Sequence, residues 1–224
     1  MNRIAWPSSF CGLVRASCPP ALSVGMAYRV CNANGWEQPD LSRCVSKTNP
    51  AAIIGSVVDD PNFTATQLAK MQAEFLKPNN TIFGGDVASS IMMMDTLLKL
   101  QQAELEDLDD KQEIKEKAVQ FTKNLGFAVS NLMDDQHTSA WEDIPKKEWA
   151  SRATKAIELL EEAGFLLAQQ ALDAYVDNGQ GQGIIEVHQS YPNTALQVAA
   201  ILPAGADLPD EVMFPNQSIP VYGL

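Results

Sequence analysis

The chain has 224 residues, 46% of them hydrophobic, and a formal net charge of −12 at neutral pH. That length accommodates one or two domains with cores of their own. The negative charge speaks against nucleic acid and anionic membrane surfaces as partners, since both would repel it. No apolar run is long enough to span a bilayer, and residues 1–10 lack the basic start and long apolar stretch of a secretory signal.

All four cysteines, Cys11, Cys18, Cys31 and Cys44, lie in the first fifth of the chain, and none follows. Between them stand Pro19, Pro20, Gly25, Asn34-Gly35 and Pro39, a turn-rich segment with few apolar residues. About 45 residues of this kind could not hold a fold by hydrophobic burial alone. Two disulfides could, at roughly 3 kcal/mol each in the loop-entropy model. Zinc is the competing use, but zinc ligands usually come in pairs two to four residues apart. Here the cysteine positions differ by seven, thirteen and thirteen, and no His lies nearby. Disulfides are therefore expected, and with them the secretory pathway. Met1 is then not expected to be the start of the mature protein.

Two shorter helices are predicted next. One covers Pro50 to Val58. The other starts near Thr64 or Thr66 and buries Leu68, Met71, Phe75 and Leu76. Asp59-Asp60-Pro61 separates them, because proline disfavours helix in the residue before it. Gly84-Gly85-Asp86 opens a longer helix, with Asp86 capping its free N–H groups. Val87, Ile91, Met94, Leu98, Leu105 and Leu108 follow in steps of four and three, interrupted at Gln101. Ile114 to Leu132 and Trp149 to Ala174 repeat that rhythm. Three such seams must bury one another, which predicts a helical bundle. Trp141 and Trp149 read as packing anchors of that bundle. Of Met92-Met93-Met94, core packing at Met94 with a neighbour partly exposed is expected.

The run from Asp177 to Gly183 reads as a linker that ends the last helix. The period then shortens to two: 184–188 and 195–201 are predicted strands, with Tyr191-Pro192-Asn193 as the turn. Val212–Phe214 and Ile219–Tyr222 are candidates for two more, broken up by prolines. Asn62, Asn79 and Asn216 each begin an N-glycosylation sequon beside turn signals.

The first segment carries a recognisable pattern. It contains Trp6-Pro7, Cys18-Pro19, Ala27-Tyr28-Arg29-Val30-Cys31, and the run from Gly35-Trp36 through Pro39-Asp40-Leu41-Ser42 to Cys44. This resembles the hormone-receptor module of G-protein-coupled receptors. Trp6, Tyr28 and Trp36 are its expected anchors, with a Trp packed over the bridges as a miniature core. The resemblance implies crossed disulfides, Cys18 with Cys44 and Cys11 with Cys31. In the family, the partner of the middle cysteine usually lies upstream of the Trp-Pro pair, whereas Cys11 lies downstream of it. Either the pairing survives in a shifted register or the partner lies outside this chain.

Phe83 to Ile91, Ser139-Ala140-Trp141-Glu142-Asp143 and Leu159 to Ala168 look like segments of the GAIN domain of latrophilins, which are adhesion-type G-protein-coupled receptors. In that family a hormone-receptor module sits immediately before GAIN, the order found here. The fold expected is mainly α. A disulfide-stapled module (1–47) precedes the antiparallel helical bundle of GAIN (48–178) and the first strands of an incomplete β-sandwich (183–224). The chain is expected to be a fragment, continuing into the rest of the sandwich and a seven-helix membrane core.

The resemblance implies an extracellular, cell-surface receptor region that serves adhesion or ligand binding and regulates signalling. Its expected partner is an extracellular protein, with no cofactor, no metal and no nucleic acid. Complete GAIN domains can cleave themselves at His-Leu followed by Ser or Thr. That motif does not occur in this sequence, so no catalytic residue is assigned. His137 and His188 are the only histidines, and neither joins a nucleophile, a Gly-x-Ser-x-Gly or a His-Glu-x-x-His arrangement. The alternatives are a standalone helical scaffold, which predicts four free thiols and no glycan, and a secreted binding fragment without receptor function.

Overall fold

The computed structural model describes residues 4–8, 10–54, 60, 63–177 and 184–201, with only the backbone at 171–177, 184–188 and 199–201. Its first part is built on short antiparallel strands. Strand β1 (Leu13–Ser17) pairs with β3 (Met26–Asn32), and β3 with β4 (Gly35–Trp36). β2 (Ser23–Val24) pairs with β5 (Val45–Ser46). Ala33-Asn34 is the two-residue loop between β3 and β4, with Gly35 at φ +107° directly after it. Cys11 is bonded to Cys31 and Cys18 to Cys44.

The buried cluster beneath these strands is small: Cys18, Ala27, Cys44 and Phe83, with Ile4, Trp6 and Leu41 packed against it. Trp36 stands opposite Cys31 of the Cys11–Cys31 bridge in the β3–β4 register. It sits on the short edge strand β4, is 43% exposed, and lies under the Arg29 guanidinium at 5.4 Å. The buried cluster itself contains Phe83, with Trp6 packed against it, and not Trp36.

A 3-10 turn over Pro50–Ala52, capped by Asn49, leads out of the strands. Residues 55–58 of the helix expected there lie outside the described residues. Five helices follow among the described residues. They are α1 (Ala65–Phe75), α2 (Gly84–Glu106), α3 (Lys111–Leu132), the short α4 (Thr138–Glu142) and α5 (Lys146–Asp177). Local chemistry starts two of them clearly. The Thr64 hydroxyl accepts from Gln67 N while the Gln67 side chain accepts from Thr64 N, a full capping box before α1. Asp110 accepts from Gln112 and Glu113 N to start α3.

The three apolar seams meet as expected. Val87, Ile91, Met94 and Leu98 of α2, Phe121, Leu125, Ala128 and Leu132 of α3, and Ala156, Leu160 and Ala163 of α5 share one core with Leu68 and Leu76. Met93 and Met94 are buried, whereas Met92 is 72% exposed. The interruption at Gln101 is buried too: its Oε1 accepts from Thr66 Oγ1. Trp141 and Trp149 are half-buried and donate their indole N–H groups to Leu132 O and Ile144 O, tying the helix ends of the α3–α4–α5 corner. No described helix is long and apolar enough to cross a membrane.

Strands β6 (Ile184–Ser190) and β7 (Ala195–Ile201) form an antiparallel hairpin against α5. Its tip docks on α3. The Tyr191 ring enters the space left open by Gly126, stands edge-on to Phe127 at 5.1 Å, and donates its hydroxyl to Thr122 O. Burial pushes the Tyr191 phenol well above its ordinary value. Asn193 bonds Ser130 and Asp134 beside it. Residues 202–224, which include both further candidate strands, lie outside the described residues.

Candidate functional site

The first turn of any α-helix leaves backbone N–H groups without intrahelical partners. In α2 one of these groups reaches the stapled part and another the end of α4. Gly85 N donates to Cys44 O at 3.0 Å, and Gly84 N to Asp143 Oδ2 at 3.3 Å. Asp86 caps this helix as the sequence predicts, and does so from the third helical position, since the helix begins at Gly84. Its carboxylate reaches back to accept Phe83 N at 2.8 Å. Gly84 and Gly85 are inside the helix because the contact is tight. A Cβ on Gly85 would lie 2.5 Å from Cys44 O, and one on Gly84 would lie 2.8 Å from the Asp143 side chain.

Asp86 is fully buried and serves both sides of this junction. Beyond Phe83 it accepts Ser46 N from β5 at 2.9 and 3.1 Å and Asn49 Nδ2 at 2.6 Å. Asn49 in turn donates to Ser89 Oγ. Burial pushes the Asp86 carboxyl up, and the bonds from Asn49, Phe83 and Ser46 pull it down, with burial the stronger. A buried carboxylate with this many donors fixes the orientation of the two parts it joins.

Beside the junction a groove of about 690 Å³ opens between the strands and the α4–α5 corner. One wall is Tyr28, Arg43 and Asp40; the other is Asp143, Lys146 and Trp149. Tyr28 exchanges backbone bonds with Asp40, and its ring lies under the Arg43 guanidinium at 5.0 Å. Lys146 lies over Trp149 at 6.0 Å. Leu13 and Val30, cross-strand partners in the β1–β3 register, carry the floor outward and are 65% and 40% exposed. Asp143 is pushed up to about 6. Burial is the main cause, opposed by the Gly84 N–H and reinforced by the neighbouring Glu142 and Asp40 carboxylates. Apolar surface, paired aromatic–cation contacts and both signs of charge suit a polypeptide partner better than a small metabolite.

The structure brings Tyr28, Asp86 and Trp149 to the junction and its groove, and places Trp6 in the small core beneath it. Trp141 lies on the bundle side and Trp36 at the outer edge. Asn79 stands exposed in the turn after α1. Asn62 and Asn216 lie outside the described residues. His137 is buried, with Nε2 2.8 Å from Leu76 O, so it supports the end of α1. Nothing is described of the His188 side chain. Sequence reasoning missed Asp143, Asn49 and Asp40. An Asn just before Pro50 was a readable capping signal, but nothing local marks Asp143 as a partner of Gly84. Among the described residues no cluster of His, Cys, Asp and Glu could hold a metal.

Comparisons with known proteins find matches to both parts of the chain. The hormone receptor domain family matches residues 1–47, and the family described as AGRL2-4 GAIN subdomain A matches residues 62–168. Adhesion G protein-coupled receptor L1 of Bos taurus is 30% identical over 186 residues, 75% of this chain and 12% of its own length. The Homo sapiens protein of the same name is 27% identical over an alignment of 235 residues, 89% of this chain and 16% of its own length. That of Mus musculus is 29% identical over 186 residues. The chain thus spans less than a fifth of the length of these relatives.

Proposed function

Because the chain belongs with the latrophilin-like ectodomains of adhesion G-protein-coupled receptors, an extracellular receptor region, we propose that it presents a protein-binding groove held rigid by the Asp86 junction. In this reading residues 1–47 are the hormone-receptor module, 48–178 the helical subdomain of GAIN and 183–224 the start of its β-sandwich. The partner is an extracellular protein. Its contact with both walls of the groove adjusts the signalling of a membrane core elsewhere in the full-length receptor. The segment performs no catalysis of its own.

The observation that carries this reading is the buried Asp86 carboxylate bonded to β5, Asn49 and the start of α2. The junction keeps the two groove walls from moving independently, so a ligand touching both meets a preorganised surface.

The test is to secrete the chain from animal cells as a tagged dimer and measure staining of a cell panel by flow cytometry. Wild type is expected to stain some lines, and a variant carrying Arg43→Glu and Lys146→Glu to lose most of that signal with its disulfides intact. A chain retained in the cell with four alkylatable thiols would overturn the extracellular assignment in favour of a helical scaffold. Equal staining by the variant would overturn the groove.

A further inference from the structure

We propose that an N-linked glycan on Asn79 lies across a second groove, between the stapled module and α1, and braces the two. This rests on the extracellular reading above. The groove has Leu22 on the module side and Met71 and Phe75 on the α1 side. Leu22 is 44% exposed and Met71 36%, so two large apolar side chains face the same open space from different parts of the molecule. Asn80 and Thr81 of the Asn79-Asn80-Thr81 sequon line the rim of that space.

The turn that carries the sequon is fixed. Asn80 Nδ2 donates to Glu74 O and Phe75 O, both at 2.9 Å, and so caps the last carbonyls of α1. Asn79 itself is exposed. Its amide nitrogen can displace the lipid pyrophosphate from the anomeric carbon of a lipid-linked oligosaccharide. A C–N bond replaces the C–O bond, and the amide gives up one proton. The first N-acetylglucosamine has an apolar ring face and an acetamide methyl, which suit Leu22 and Met71. Its hydroxyl and amide groups suit Lys47, Lys70 and Thr48 on the same walls. A sugar rooted on the bundle side and resting on Leu22 spans the gap between the two parts.

The experiment secretes the full chain from animal cells and follows it by glycopeptide mass, hydrogen exchange and thermal unfolding. Asn79 is expected to be glycosylated. Asn79→Gln and Thr81→Ala should lower the unfolding midpoint by about 2–4 °C, the shift that a 1 kcal/mol change produces at this size. Both should raise exchange in residues 20–24 and 70–75. Thr81→Ser, which keeps the sequon, and enzymatic trimming to a single N-acetylglucosamine should both behave as wild type. Bridged cysteines with an unmodified Asn79, or a glycan whose removal leaves exchange in both segments unchanged, would overturn the brace alone. Four free thiols would overturn the extracellular reading itself.

Discussion

The stapled module and the helical bundle solve the same problem with unequal means. The bundle buries Leu68, Met94, Phe121, Leu125, Leu159 and many more in one continuous core. The module's buried cluster holds four residues, two of them half-cystines of one bridge, and borrows the fourth, Phe83, from the threshold of α2, while Val14, Ala16 and Cys31 are buried outside that cluster. A unit of that size gains too little from apolar burial to offset the entropy of ordering its chain. It persists because two bridges restrict its unfolded state and because the first turn of α2 supplies hydrogen bonds it lacks. The module therefore depends on its neighbour, and the neighbour depends on it far less.

Phe121→Ala and a Cys18→Ser/Cys44→Ser double variant should separate these strategies most sharply. Phe121 is fully buried at the centre of the bundle, and its truncation should cost about 3–5 kcal/mol, melting the helices cooperatively by circular dichroism. Loss of the Cys18–Cys44 bridge should cost roughly 3 kcal/mol but act on the module. Proteolysis would then cut within residues 13–46 while helicity is kept. Equal loss of helix in both variants would show that the parts do not differ in this way.

A smaller effect is expected at the junction. Asp86→Asn keeps the shape but turns an amide NH₂ toward one of three donors, Ser46 N, Asn49 Nδ2 or Phe83 N. That should cost about 1–3 kcal/mol. Hydrogen exchange should rise at residues 44–49 and 83–86 and remain unchanged in the middle of α3. A uniform rise would make Asp86 a general stability residue instead.

The smallest effect is a pH response. Asp143 titrates near 6 in the native protein, against an ordinary value of 3.8. Between those values the folded state holds a proton that the unfolded chain has released, so folding strengthens as pH falls through 6. The cost of the charged form is present above that point. The unfolding midpoint should rise from pH 7.5 to 5, and Asp143→Asn should raise it at pH 7.5 and flatten the response. A midpoint that falls over the same window in wild type but not in the variant would reverse the sign assigned to Asp143.

Much of this was legible in the residues alone. Periodicity located three long helices, the cysteine positions and turn residues marked a stapled module, and alternation with a Tyr-Pro-Asn turn marked the β6–β7 hairpin. These signals are local, since each follows from which face of its own element is apolar. The polar contacts that orient the parts were not legible. Asp86 reads as an ordinary cap until Ser46 and Asn49, some forty residues earlier, are seen to share its carboxylate. The space beside Gly126 has no meaning along its own helix and is filled by Tyr191 of the hairpin. Trp36 reads as an anchor of the module, and its 43% exposure shows only in the structure. The sequence by itself determined the elements and their apolar faces, because backbone geometry and burial repeat along the chain. The tertiary structure alone decided the junction, its groove and the hairpin dock, because buried hydrogen bonds between distant residues leave no period to read.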